Sequence, residues 1–98
     1  MRIITYKTIE QYVELHADIR LAIDEWYVKT EQSQWNSFTD VKKTFNSVDS
    51  VGNKRYVFNI KGNSYRIIAI ILFVPKIVYI RFIGTHAEYT KIKDCSHI

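Results

Sequence analysis

The stretch Arg55-Tyr56-Val57-Phe58-Asn59-Ile60-Lys61, followed by Gly62-Asn63, Tyr65 to Val74, Pro75-Lys76 and Ile77 to Ile83, decides the fold. Apolar and polar-leaning residues alternate along its first segment with the period of two that marks a half-buried strand. Gly62-Asn63 and Pro75-Lys76 read as tight turns, so the whole is a meander of three antiparallel strands. Two-residue loops at both turns set the pairing. Lys61 opposes Ser64, which places Asn59 against Arg66, Val57 against Ile68 and Arg55 against Ile70. Across the second turn Val74 opposes Ile77, placing Ile70 against Arg81, Ile68 against Ile83 and Arg66 against Thr85.

Opposed residues share a face, and neighbours along a strand take opposite faces. One face then collects Tyr56, Phe58, Ile60, Tyr65, Ile67, Ala69, Ile71, Phe73, Val78, Ile80 and Phe82, with no charge among them. That face is the expected core. The other collects Arg55, Val57, Asn59, Lys61, Arg66, Ile68, Ile70, Leu72, Tyr79, Arg81, Ile83 and Thr85, with His86 and Tyr89 arriving from the segment beyond. No carboxylate falls on it. Cations of one sign on a half-apolar floor are costly to leave unpaired, and a phosphate backbone would pair them.

Upstream the period changes. Ile3-Ile4-Thr5-Tyr6 reads as a short strand, and Thr8 with Gln11 as a capping box before the helical stripe Ile9, Tyr12, Val13 and His16. The pattern restarts at Asp18, a candidate N-cap, with Ile19, Leu21, Ala22, Ile23, Trp26 and Tyr27; a hairpin and one bent helix both fit. Asp40 to Phe45 suits a short helix, and Ser47 to Asn53 a turn-rich loop. Thr85-His86-Ala87-Glu88 is a capping box that opens a last helical turn. The fold class is therefore α+β: N-terminal helices packed on one face of a small antiparallel β-sheet, in a single domain over residues 1–98.

Composition sets the outer limits. The 98 residues are 47% hydrophobic and 14% aromatic, enough for a packed core and too much for a disordered chain. Cys95 stands alone, so no internal disulfide forms and a reducing, cytoplasmic location is expected. The N-terminal residues lack the apolar core of a signal peptide. The longest apolar run, Ile67 to Pro75, is far short of the about 20 residues that span a bilayer, so no membrane association is expected. The net charge of +4 is unevenly spread: residues 1–53 are slightly acidic, and residues 54–98 carry eight Lys/Arg against Glu88 and Asp94. A basic half points to a polyanionic partner.

RNA can be cut without a metal when its own 2′-hydroxyl attacks the phosphate. The site must then supply a base, cations around the developing charge, and an acid for the leaving 5′-oxygen. Arg66 and Arg81 suit the charge, and His86 and Tyr89 suit proton transfer in either order. Lys54 and Lys61 stand at the rim. His16 reads as a packed or edge histidine, His97 as solvated, and Trp26 and Trp35 as core or rim packing. Three scattered histidines with one cysteine have no metal-ligand spacing, so neither a metal nor any other cofactor is expected.

Three segments carry a likeness to a known family: Asp40 to Phe45, Asn53 to Asn63 with Tyr65 to Ala69, and Tyr79-Ile80-Arg81-Phe82-Ile83-Gly84-Thr85-His86-Ala87-Glu88-Tyr89. They resemble the HigB toxins of type II toxin–antitoxin systems, within the RelE superfamily, most closely from Phe38 to Tyr89. The resemblance implies a RelE-like microbial RNase fold and a translation-dependent mRNA endonuclease, an mRNA interferase acting on mRNA in the ribosomal A site. It also implies a HigA-like helix-turn-helix antitoxin that neutralises the toxin. The family's site positions carry over to Arg66, Arg81, His86 and Tyr89 for catalysis, and to Lys54, Arg55 and Asn59 for RNA binding, with Lys61 added from the rim. Ala87 and Thr90 depart from the Lys and Asp of the family's "THKEYD", which removes one cation at the edge. Two rival readings use the same face: a non-catalytic nucleic-acid-binding module, and a ParE-like toxin that inhibits a topoisomerase.

Overall fold

A computed structural model describes residues Met1–Ile98. The chain runs β1 (Arg2–Ile4), α1 (Lys7–Leu15), a 3-10 turn at Ala17–Ile19, α2 (Arg20–Gln32), α3 (Phe38–Thr44), β2 (Asp49–Gly52), β3 (Arg55–Ile60), β4 (Tyr65–Leu72), β5 (Ile77–Thr85), α4 (His86–Thr90) and a last 3-10 turn at Cys95–His97. The five strands form one sheet in the order β1-β5-β4-β3-β2. The central meander is antiparallel as expected. The sheet as a whole is mixed, because β1 pairs parallel with β5 (Arg2 opposite Ile77). No helix is long and apolar enough to cross a membrane.

The helices cover one face of the sheet. Ile9, Val13, Ile19, Ile23, Trp26 and Val41 come from the helical side and meet Tyr56, Phe58, Ile60, Ile67, Ala69, Ile71, Val78 and Ile80 from the sheet in one buried cluster. Phe58 organises its aromatic part, with Trp26 edge-on at 5.4 Å and Phe45 edge-on at 5.4 Å. Trp26 and Trp35 are both buried core residues. Of the residues that the spacing placed on the buried face of α1 and α2, Leu21 is exposed (75%).

Neither helix uses the cap its sequence suggested. α1 begins at Lys7, one residue before Thr8, with no side-chain cap. Asp18 lies inside the 3-10 turn that separates α1 from α2, and its carboxylate accepts from Lys61 Nζ (3.0 Å) and the Tyr65 hydroxyl (3.2 Å). A cation and a phenol from the facing hairpin outcompete the local backbone N–H groups.

The first hairpin pairs as the sequence predicts, with Asn59 opposite Arg66, Val57 opposite Ile68 and Arg55 opposite Ile70. The second does not. Leu72, not Val74, opposes Ile77, so the loop takes the four residues Phe73 to Lys76. A two-residue hairpin turn needs positive φ at its first central residue, and the proline ring locks Pro75 near −65°. The wider loop shifts the pairing by two, which leaves Tyr79 on its expected face opposite Ile70.

A β-bulge then changes the rest of the strand. Ala69 opposes Ile80 and Ile68 opposes Phe82, so Arg81 is the extra residue on β5. Everything after it trades faces. Ile83, expected opposite Ile68 on the basic face, is buried in the core opposite Ile67, while Phe82 turns to the other side. Gly84 then falls opposite Arg66 in place of Thr85, where an added Cβ would lie 2.5 Å from Phe82 Cζ.

Ile83→Ala is expected to destabilise the protein by about 2–5 kcal/mol through loss of buried volume. Arg81→Ala, two residues earlier, should stay within about 0.5 kcal/mol as an exposed substitution. Urea unfolding of the two variants checks the order; the reverse order would place the bulge elsewhere.

Candidate nucleic-acid interface

The face away from the helices carries the candidate residues, and it is less open than the strands alone suggest. Val57 (3% exposed) and Ile68 (0%) oppose one another on this side, yet both are buried. The tail returns along this side, where Ser96 meets Asn53 and Ile98 meets Arg55 and Arg81. Strand β2 also adds a residue that the loop reading of this segment missed: Asp49 opposes Val57 and so shares its face. One carboxylate therefore stands on a face expected to have none.

Helix α4 is the anchor of the site, and its capping box forms as its sequence predicts. The Thr85 hydroxyl accepts from the Glu88 N–H (3.1 Å), and the Glu88 carboxylate accepts from the Thr85 N–H (2.7 Å). The same carboxylate accepts from the Tyr12 hydroxyl (2.8 Å), tying α4 to α1. Tyr12 in turn stacks on His16, with ring centroids 4.0 Å apart, so His16 is a packed edge histidine. The His86 N–H donates to Ser64 O (2.9 Å), which fastens the start of α4 to the β3–β4 turn. His86 and Tyr89, three residues apart, lie on one side of this short helix.

Three of the candidate residues, Asn59, Arg66 and Tyr89, come together here, with His86 at the start of the same helix as Tyr89. Asn59 lies directly across from Arg66. The Arg66 guanidinium donates to Asn63 Oδ1 (2.7 Å) and sits 5.4 Å from the centroid of the Tyr89 ring. A guanidinium held by an amide on one side and an aromatic ring on the other has lost much of its freedom before any ligand arrives. Burial pushes the Tyr89 phenol above its ordinary value, the neighbouring Cys95 thiol adds to the rise, and the Arg66 charge opposes it. The phenol is therefore protonated at neutral pH. His86 is exposed at the start of the helix.

The remaining candidates lie elsewhere. Arg55 and Arg81 converge on the main-chain oxygen of Ile98, with Arg55 Nη2 at 3.0 Å and Arg81 Nε at 3.2 Å. Lys54 is exposed in the β2–β3 turn beside them. Lys61 leaves the face altogether. Its φ of +52° turns the chain, and its ammonium pairs with Asp18 on the helical side. His97 is exposed yet paired, 2.7 Å from Asp94 Oδ2. Sequence reasoning gave no role to Asn63, Asp49 or Cys95. Asn63 read as a turn residue, Asp49 fell in a stretch read as loop, and the tail with Cys95 has no periodicity to place it.

This combination belongs to a known class, the RelE-like toxic components of toxin–antitoxin systems. The family model described as HigB toxin, RelE-like toxic component of a toxin–antitoxin system, matches residues 19–92. The chain belongs to the HigB toxin family. It is 30% identical over 94 residues to the mRNA interferase HigB of Escherichia coli O6:H1 (strain CFT073), covering 94% of this chain and 91% of that protein. It is 29% identical over 91 residues to the mRNA interferase toxin HigB of Escherichia coli K12, covering 91% and 88%, and equally to the mRNA interferase HigB of Shigella flexneri.

The Glu88 carboxyl is held below its ordinary value of 4.5, first by the Thr85 N–H and then by the Tyr12 hydroxyl. A depressed carboxyl stabilises the fold above its ordinary pKa and loses that contribution as pH falls through the depressed value. Wild type should thus be more stable than Glu88→Gln at pH 7, with the gap closing as pH falls below 4.5. Thermal melting of both proteins across pH checks this; a gap that widens in acid would contradict it.

Proposed function

We propose that this protein is an mRNA interferase that cleaves mRNA on the ribosome by metal-independent attack of the 2′-hydroxyl. The observation that carries the reading is the Arg66–Tyr89 contact on a helix whose first residue is His86, in a chain of the HigB family. The 2′-oxygen forms a bond to phosphorus as its proton passes to His86. The bond from phosphorus to the 5′-oxygen breaks, and the 5′-oxygen takes the proton of Tyr89. The products are a 2′,3′-cyclic phosphate and a 5′-hydroxyl end.

The assignment of acid and base follows from the phenol. A phenol that is protonated at neutral pH has no phenolate to take the 2′-hydroxyl proton, but it has a proton to give the leaving oxygen. Arg66, beside the ring, stabilises both the charge gathering on phosphate and the phenolate left behind. Asn59 and Arg81 extend the contact along the RNA backbone, with Lys54 and Arg55 at the rim. Lys61, paired to Asp18, is left out.

A toxin of this family has an antitoxin partner. We infer a HigA-like helix-turn-helix protein, and a cytoplasmic location where translating ribosomes are found. The ribosome would supply what the exposed site lacks, which is a fixed orientation of the RNA for in-line attack.

Cleavage in a translating extract should leave 2′,3′-cyclic phosphate ends and run much faster than on the same RNA without ribosomes. Arg66→Ala and Tyr89→Phe should each lower the rate about 10²- to 10³-fold while melting like wild type. Equal rates with and without ribosomes would remove the ribosome from the mechanism. Uncut RNA with trapped topoisomerase–DNA breaks would favour the ParE-like reading, and full toxicity in both variants would favour a binding module.

A further inference from the structure

We infer that Asp49 reads a base of the RNA, accepting hydrogen bonds from the Watson–Crick edge of a guanine beside the cleaved bond. This rests on the RNA-cleaving reading above and adds to it a source of sequence preference. Asp49 is the only acidic residue in the five strands. It opposes Val57 on the edge strand β2, on the face that carries Asn59 and Arg66, and it is exposed. It is also unpaired. The ion pairs of the structure are Lys61–Asp18 and His97–Asp94. Arg55, two residues along β3 from Val57 and on the same face, donates to the Asn53 main-chain oxygen instead (3.0 Å).

A free negative charge on a face of arginines repels phosphate and so weakens the backbone contacts made there. What it fits is a row of N–H donors, which nucleobases present on their edges. The bases differ in how well they match it. A carboxylate has two oxygens, and both only accept. Guanine presents two adjacent donors, its ring N–H and its exocyclic amine, and satisfies both oxygens at once. Adenine and cytosine place an acceptor nitrogen beside the amine, and uracil flanks its one N–H with carbonyls. Each of these sets an acceptor against the carboxylate, which is a penalty as well as a lost bond.

Asp49 is close to the chemistry. Asn59, its diagonal neighbour on β3, stands directly across from Arg66, whose guanidinium lies against the Tyr89 ring. The Tyr89 phenol is pushed up first by burial, and the Asp49 charge adds to the rise, so the carboxylate is within electrostatic reach of the proposed acid. Contacts to phosphate and to base are thus side by side. Arg66 holds the phosphate at the cut, and Asp49 takes the base next to it.

The test maps cut sites across the mRNA of a translating extract with wild type and with Asp49→Asn. Wild type should favour guanine at one nucleotide flanking the cut. Asparagine replaces one acceptor by a donor, which matches the amine and ring nitrogen of adenine or cytosine. The variant should therefore lose about tenfold of the guanine preference and gain for adenine or cytosine, with a total rate close to that of wild type. No guanine preference in wild type, or one that Asp49→Asn leaves unchanged, overturns the proposal and keeps the cleavage reading. So does an equal change of rate at every site with a shifted pH profile, which makes Asp49 a partner of Tyr89 alone. The substitution breaks no ion pair, so a variant that does not melt cooperatively overturns the unpaired placement on which the proposal stands. RNA left uncut by wild type overturns both readings.

Discussion

One extra residue in one strand governs the site. Arg81 bulges out of β5, and from that point the strand presents its side chains to opposite faces from those a regular ladder would give. Ile83 enters the core, Gly84 comes to face Arg66, and Thr85 ends opposite Tyr65. Thr85 is the N-cap of α4, so its position decides where that helix starts and what its side chains reach. Without the bulge Thr85 would be rotated to the other face, and His86 and Tyr89 would move with it. The core enforces the arrangement, because undoing the bulge would expose Ile83 and push the larger Phe82 into the space that Ile83 fills.

The site is held from both sides of the sheet. Glu88 caps α4 and takes the Tyr12 hydroxyl from α1, while the His86 N–H is fixed by the β3–β4 turn. The same turn supplies Asn63, which positions Arg66. Elements far apart in the sequence thus meet at one short helix. This gives preorganisation in physical terms: the arginine and the phenol are placed by contacts that exist before any ligand binds.

Much of this was legible in the chain itself. The Arg55–Lys61 alternation and the Gly62-Asn63 turn fixed the first hairpin register to the residue, and Thr85 with Glu88 announced the last helix. What was not legible has identifiable causes. A bulge at Arg81 leaves no local signature, since its neighbours are apolar on both sides. Pro75 reads as a turn residue but has the wrong φ for the tightest turn. β2 hid behind Asp49, Ser50 and Gly52, residues that favour loops, because edge pairing to β3 outweighs their weak strand propensity. Lys61 was lost from the basic face because its partner, Asp18, lies forty-three residues away.

The register of β4 against β5 is therefore the point on which the assignment of residues to faces rests. Cross-strand NOE contacts between backbone protons of these two strands, read by NMR on the wild-type protein, test it most directly. Contacts of Ile67 with Ile83 and of Tyr65 with Thr85 are expected. Contacts of Ile67 with Phe82 and of Tyr65 with Gly84, the pattern of a ladder running on unbroken from Ala69 opposite Ile80, would contradict it.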